Sequence, residues 1–433
     1  MLGFLWTLLG RLFVGLLAVG AILFVLVVDD TPRLPGLPAP SPEDVLAGRE
    51  FVQRVRAATR STTSDLATVS ITIKEANSVG RLVARFLHGS RAVARVKDGR
   101  VVGEASLRLP WPLTDGWINA AAVVPPFEPQ LRLEEIHAGQ LSLPPAMSLE
   151  VARLSANLLL GDGAGDRILR RMSAMRIDGD ELTFTLSLER ERQGSFIRQF
   201  FGTIRGREMP EAEKVDRYYV MIRQAIETEE LKDQGSFLPY LKFAFKAALD
   251  AGRGGDLPNE YTAAMFALAK ACGAQDFNLI VGQLAGREAD QLGRWQKTCD
   301  DVSFNNRIDS RRHFITAAAL RAASNRSLAI TGGEFKELLD TISGAGGFDF
   351  TDIAANNSGI RMSDLMMAQS AAAWPALLAR LERANDVIIP FDSIPGLTPR
   401  REFEARYGNV GSTAYDEMLQ KFEGKIDRLA LHQ

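Results

Sequence analysis

Hydrophobic and polar positions along this chain follow different periods in different stretches, and each period predicts a different kind of element. From residue 12 to residue 28 the sequence LFVGLLAVGAILFVLVV carries no polar side chain. At ~1.5 Å per residue this run is just long enough for a bilayer core, and the apolar stretch 2–10 lengthens it if Arg11 snorkels. A cleaved signal peptide needs a shorter core and a small-x-small cleavage site, whereas Asp29-Asp30-Thr31-Pro32 follows here. The run therefore predicts an uncleaved N-terminal transmembrane helix. Arg11 and the α-amino group precede it and Asp29-Asp30 follow it, which places the N-terminus in the cytoplasm and the body outside.

Between residues 31 and 42 the sequence TPRLPGLPAPSP contains Pro32, Pro35, Pro38, Pro40 and Pro42 and predicts an extended spacer, followed by a short amphipathic helix to about residue 60. Strict alternation then begins. Val69, Ile71 and Ile73 alternate with Ser70, Thr72 and Lys74, the pattern of a half-buried strand. Apolar runs flank Asp98-Gly99, a pair that suits a type I′ hairpin turn because both central residues need positive φ. Strands also read at 117–124, 131–136, 175–177 and 182–188, with helices at 148–160 and 166–173. The stretch 61–192 is thus an α+β domain on an antiparallel sheet.

Beyond residue 192 the alternation stops and helical spacing takes over. A basic and aromatic stretch occupies 196–204, and helices read at 211–232, 236–251, 259–272, 277–284, 290–297, 310–324, 333–342, 351–360, 363–384 and 415–429, with a Pro-containing extended tail at 387–399. The predicted organisation is an anchor (1–30), a Pro-rich spacer and short helix (31–60), the α+β domain (61–192) and a mostly α-helical domain (193–433).

Composition narrows the function classes. The chain has 433 residues, 51 Lys+Arg against 53 Asp+Glu, and a net charge of −2, so it has no general field to attract nucleic acid. The Ala/Arg/Gly/Leu-rich usage reads as bacterial, which would make the outer side the periplasm. Cys272 and Cys299 lie in no CxxC or Cys/His cluster; they either pair in an oxidising compartment, closing a loop worth ~3 kcal/mol, or stay as buried thiols. No complete cofactor or metal signature occurs. Gly161-Asp162-Gly163 lacks the Gly-Lys-Ser/Thr ending of a phosphate loop, and GxSxG and HExxH are absent.

Candidate chemistry gathers between Asp309 and Ile360. His313 stands in the first turn of a helix that is apolar on nearly every side, next to Arg311 and Arg312. A helix N-terminus and two cations disfavour the imidazolium, which predicts a neutral ring able to accept a proton or bind a metal. In the next helix Phe335, Leu338, Leu339 and Ile342 form the expected core stripe. Glu334 flanks that stripe and Glu337 faces away, so Glu334 is the site candidate and Glu337 a solvated charge; Lys336 and Asp340 are spaced for an ion pair. After a glycine-rich turn come Asp349 and Asp352, the latter one helical turn before Asn356, with Thr351 as the expected cap. His313, Glu334 and Asp349 or Asp352 are the residue types that hydrolysis of a glycan or ester requires.

The order His313-Phe314, Gly333, Lys336-Glu337, Asp340, Phe348, Asp352-Ile353-Ala354 and Gly359 resembles the core of YfiM-type bacterial envelope proteins and, more faintly, VanZ-like proteins. Asn356 and Asn357 stand where an acidic residue is expected. The resemblance implies an envelope setting and a recurring polar cluster, not a reaction. The expectation is a single-pass inner-membrane protein with a periplasmic helical domain bearing a His/Glu/Asp cluster, a hydrolase of cell-wall glycan or related polymer. The rival is a non-enzymatic envelope scaffold, or a lipid- or partner-binding protein; the lipid version needs an apolar cavity beside the sheet.

Overall fold

The computed structural model of the chain describes residues 24–61, 65–86, 90–109, 116–160, 164–187, 209–274, 299–341 and 347–433. Most of the apolar run at 12–28, the stretch 196–204, the helices expected at 277–284 and 290–297, and residues 344–346 of the glycine-rich turn lie outside them. Among the described residues no helix is long and apolar enough to cross a membrane. The chain divides into two compact units, 1–190 and 191–433. The first is α+β with antiparallel sheets; the second is mostly helical.

The first unit runs β1 (Val28–Asp29), α1 (Pro42–Ser61), β2 (Leu66–Thr72), α2 (Ile73–Phe86), β3 (Arg91–Lys97), β4 (Arg100–Arg108), β5 (Trp117–Val124), β6 (Glu135–Ala138), β7 (Leu141–Leu143), α3 (Pro145–Leu160), α4 (Ala164–Arg171), β8 (Met172–Asp178) and β9 (Glu181–Ser187). One antiparallel sheet was expected and there are two. Strands β3-β4-β5-β6-β7 form one, with β1 on β5, while β2-β9-β8 form the other. The hairpin at Asp98-Gly99 has φ of 51° and 68° at its two central residues, the turn that Asp-Gly selects. The alternation that suggested a strand through Ile73 ends one residue earlier. Thr72 and Glu75 close a reciprocal capping box, Thr72 N donating to Glu75 Oε2 (2.9 Å) and Glu75 N to Thr72 Oγ1 (3.2 Å), and α2 begins there.

The start of the Pro-rich spacer is not a free stand-off either. Buried Asn119 on β5 accepts from Arg33 N (2.8 Å) and donates to Asp29 Oδ2 (2.7 Å) and Thr31 O (2.9 Å), and Ser106 on β4 accepts from Leu34 N (3.1 Å). An extended proline-rich backbone leaves its polar groups unpaired, and buried Asn and Ser side chains need partners, so each satisfies the other. Further along, Pro38 and Pro40 join Arg81, Arg85 and Arg91 around a cavity of about 200 Å³. Its lining sets these arginines beside Leu37, Ala84 and the prolines.

The second unit runs α5 (Ala212–Glu227), β10 (Gln234–Ser236), α6 (Leu238–Gly252), α7 (Leu257–Cys272), β11 (Asp301–Ser303), α8 (Ile308–Ala323), α9 (Arg326–Asp340), β12 (Phe348–Asp349), α10 (Phe350–Ala368), α11 (Trp374–Ala379), β13 (Leu397–Thr398), α12 (Arg400–Tyr407) and α13 (Thr413–Ile426). Every residue of α7 from Tyr261 to Ala269 is buried, as is every residue of α10 from Phe350 to Ile360, so these helices and α8 form the centre. The helices expected at 351–360 and 363–384 are one continuous α10 that stops at Ala368, because Arg361 and Met362 favour helix and nothing between them breaks it. Small residues let α8 and α10 touch: a Cβ on Gly359 would lie 2.1 Å from the carbonyl oxygen of Phe314.

Cys272, the last residue of α7, is disulfide-bonded to Cys299. Arg311 of α8, 2% exposed, donates from Nε to Cys272 O (2.9 Å) and from Nη1 to Val302 O (2.6 Å) and Cys299 O. Burial brings its pKa down to about 10. One guanidinium thus ties together the end of α7, both cysteine backbones and the strand β11, itself paired in parallel with β10.

At the far end of the unit, burial and the nearby Arg361 charge push His432 down to about 4, and its Nε2 has no hydrogen-bond partner. The unfolded chain binds a proton near pH 6.5 that the folded chain refuses until about pH 4. This contribution is intact above pH 6.5 and is lost as pH falls through that window, costing up to about 3 kcal/mol. Denaturant titrations at pH 7 and pH 4.5 check this: His432→Gln should lose less stability between them than the native protein, and equal losses would remove His432 as a source.

Candidate functional site

A tight turn sets up the site. Asn305 and Asn306 both adopt left-handed φ (53° and 60°), which asparagine tolerates, and Phe304 and Arg307 exchange backbone hydrogen bonds across them (3.0 and 3.1 Å). The chain then enters α8 with Arg307 pointing at the start of α10, where its guanidinium lies 3.4 Å from Asp349 and 3.7 Å from Asp352. Asp309 and His313 follow one helical turn apart on α8, with 3.7 Å between Asp309 Oδ1 and His313 Nε2.

His313 is buried between α8, α9 and α10. Its Nδ1 is 3.3 Å from Asn356 Oδ1. Its Nε2 is 3.0 Å from Asp352 Oδ2 and 2.9 Å from Lys336 Nζ, with Glu337 Oε1 at 3.9 Å. A carboxylate that accepts and an ammonium that donates therefore compete for one ring nitrogen, which satisfies only one of them at a time. Lys336 in turn donates to Glu337 Oε1 (3.0 Å) and pairs with Asp340 at 2.8 Å, the expected i,i+4 pair. Its side chain is 45% exposed, whereas those of Glu337 and Asp352 are 1% and 5% exposed, so lysine forms the solvent side of an otherwise buried group.

The four residues singled out in the sequence fall in different roles. His313 and Asp352 are in direct contact. Asp349 is the N-cap of α10, the place expected for Thr351; its Oδ1 accepts from Thr351 N (2.8 Å) and Oγ1 (2.6 Å), and its own backbone N donates to Glu337 Oε2 (3.2 Å). Glu334 is fully buried on α9, but the α9 carboxylate that reaches His313 is Glu337, expected to face solvent. The apolar stripe misled because α9 turns Thr331, Glu334, Glu337 and Leu338 inward and leaves Phe335 only half-buried. What it meets there is polar: His313, Asp352 and Asn356 require partners, and Gly333 allows the approach, since a Cβ on it would lie 2.5 Å from Asn356 Nδ2.

The direction expected for the His313 pKa is also corrected. Burial pulls the His313 pKa down, but the hydrogen bond and charge of Asp352 outweigh it, and the net shift is upward. Arg311 has turned away to the cysteine carbonyls, and Asp352, from a helix remote in sequence, takes the place given to the arginines. Glu337 is pushed up to about 7 by burial, against the pull of His313 and Lys336. Lys336 is raised: its neighbours Glu337, Asp340 and Asp352 overcome the effect of burial.

Sequence reasoning missed Glu337, Lys336, Asp309 and Arg307. The i,i+4 spacing of Asp309 and His313, which puts both on one helix face, was the signal available for one of them. Chemically the arrangement offers proton transfer at Nε2 and a donor set for a cation, because ligand atoms of Asp309, His313 and Asp352 all lie within 4.8 Å of one another. Compared with known proteins, the chain matches no family model, no curated protein and no solved structure.

Proposed function

We propose that this is a bacterial envelope protein, held in the inner membrane by the apolar run that precedes β1 with its body in the periplasm, and that the cluster on α8, α9 and α10 is a hydrolytic centre for a wall glycan or related envelope polymer. Support for the location comes from the uninterrupted apolar run, from a sheet that begins at Val28 where the run ends, and from a disulfide of the kind that persists in oxidising compartments. The likeness of residues 313–360 to YfiM-type envelope proteins points the same way.

The observation that carries the reaction is the contest at His313 Nε2. A histidine that only fills a core needs one suitable partner on each nitrogen, whereas this nitrogen has a donor and an acceptor at once. Half-exposed Lys336 is the member free to yield, with Asp340 as its alternative partner. A water taking the position of Nζ would stand 2.9 Å from Nε2 and 3.0 Å from Glu337 Oε1. In molecules whose His313 is unprotonated, Nε2 takes the proton of that water as it adds to the substrate, Asp352 stabilises the imidazolium that forms, and Glu337, held protonated to about pH 7, supplies a proton to the leaving oxygen as its bond breaks.

Full-length protein in detergent, assayed for release of soluble fragments from labelled wall glycan, tests this. His313→Ala, Glu337→Gln and Asp352→Asn are each expected to lower release by about 10²-fold or more while melting within a few degrees of the native protein. Loss with Glu334→Gln instead of Glu337→Gln would return the acid's role to Glu334. Absence of release by the native protein, with variants that melt far lower, would leave the scaffold reading, in which the cluster locks three helices together.

A further inference from the structure

We infer that Asp309, His313 and Asp352, with Glu337 behind them, form a binding site for a divalent transition-metal ion, and that the ammonium of Lys336 competes with that ion for His313 and Asp352. The donor set is one imidazole nitrogen and two carboxylates, on two helices, with ligand atoms mutually within 4.8 Å. Mixed imidazole and carboxylate sets suit zinc or manganese better than magnesium or calcium, which prefer oxygen alone.

Independent features point to a missing cation. Asp352 is 3% exposed, yet its Oδ1 makes no hydrogen bond and the Arg307 guanidinium stays 3.7 Å from it. Near the ring stand the carboxylates of Asp309, Glu337 and Asp352, while Asp340 and Asp349 pair with the neighbouring cations Lys336 and Arg307. The orientation of the ring fits as well: once Nε2 gives up its proton and Nδ1–H donates to Asn356 Oδ1 at 3.3 Å, Nε2 can present a lone pair, the second-sphere arrangement usual for a metal-bound histidine. Nε2 now lies 2.9 Å from Lys336 Nζ, which is itself 3.0 Å from Glu337 Oε1. A cation thus already stands beside two of the three ligands, and Asp340 at 2.8 Å offers the lysine a place to withdraw to.

The site rests on this geometry and not on the hydrolytic reading, and its test reads binding alone. Full-length protein in detergent, stripped with chelator, is titrated calorimetrically with Zn²⁺, with Mg²⁺ as comparison. The expected result is one Zn²⁺ per chain, bound at least tenfold more weakly by Asp309→Asn, whose half-exposed side chain makes loss of fold a poor explanation, and not detectably by His313→Ala. Lys336→Met, which removes the competing ammonium, should bind Zn²⁺ more tightly than the native protein. No stoichiometric uptake, uptake indifferent to Asp309 and His313, or weaker binding by Lys336→Met would each overturn the site. Glycan release by chelator-treated protein that takes up no zinc would sink the metal and leave the hydrolytic reading standing.

Discussion

Replacing Arg311 with methionine should destabilise the helical unit by about 4 kcal/mol, measured by urea denaturation with the disulfide intact. Methionine fills much of the arginine volume, so the loss is not chiefly a cavity. It strands the carbonyls of Cys272, Cys299 and Val302, each of which loses a charge-assisted donor in a buried place. A buried acceptor left without its partner costs roughly 1–3 kcal/mol, and breaking a buried charged arrangement from one side roughly 3–5. Relief from burying the charge offsets part of this, which is why the total falls below the simple sum. A change under 1 kcal/mol would mean that water reaches the three carbonyls.

Gly359→Ala should cost about 3 kcal/mol, although alanine is the better helix former by roughly 1 kcal/mol. Packing decides the sign. The added Cβ would lie 2.1 Å from Phe314 O and 3.3 Å from Ala318 N, both backbone atoms of the neighbouring helix, so α8 and α10 must separate along a buried interface. Gly332→Ala is the counterpart on α9, where the new methyl would meet the Leu320 side chain at an ordinary 3.8 Å. That variant is expected to be neutral or slightly stabilising. Thermal melts of the two variants side by side give the comparison, and equal effects would show that helix propensity, not closeness of approach, controls both.

Local chemistry was legible in the sequence where it is decided locally. The Asp98-Gly99 turn, the 42–61 helix and the Lys336–Asp340 pair follow from residues a few positions apart. The division of the strands into two sheets was not legible, since β2 pairs with β9 more than a hundred residues later and no local pattern records the partner. The same limit explains the site. His313 and Asp352 stood out by type and setting, but Glu337 was misjudged because the hydrophobic stripe of α9 was taken to face the core. That inference assumes an apolar neighbour, and α9 packs on helices whose facing side chains are His313, Asp352 and Asn356. The direction of the His313 pKa shift was misjudged for a related reason: sequence proximity to Arg311 and Arg312 was the visible fact, and the Asp352 carboxylate was not.

The Cys272–Cys299 crosslink also separates chain continuity from molecular integrity. Both cysteines are held by Arg311 through their own backbone carbonyls, so the two ends of the intervening segment are fixed to the core independently of its length. A protease cut between residues 273 and 298 would leave a nicked but single molecule, separable into two fragments only by reductant.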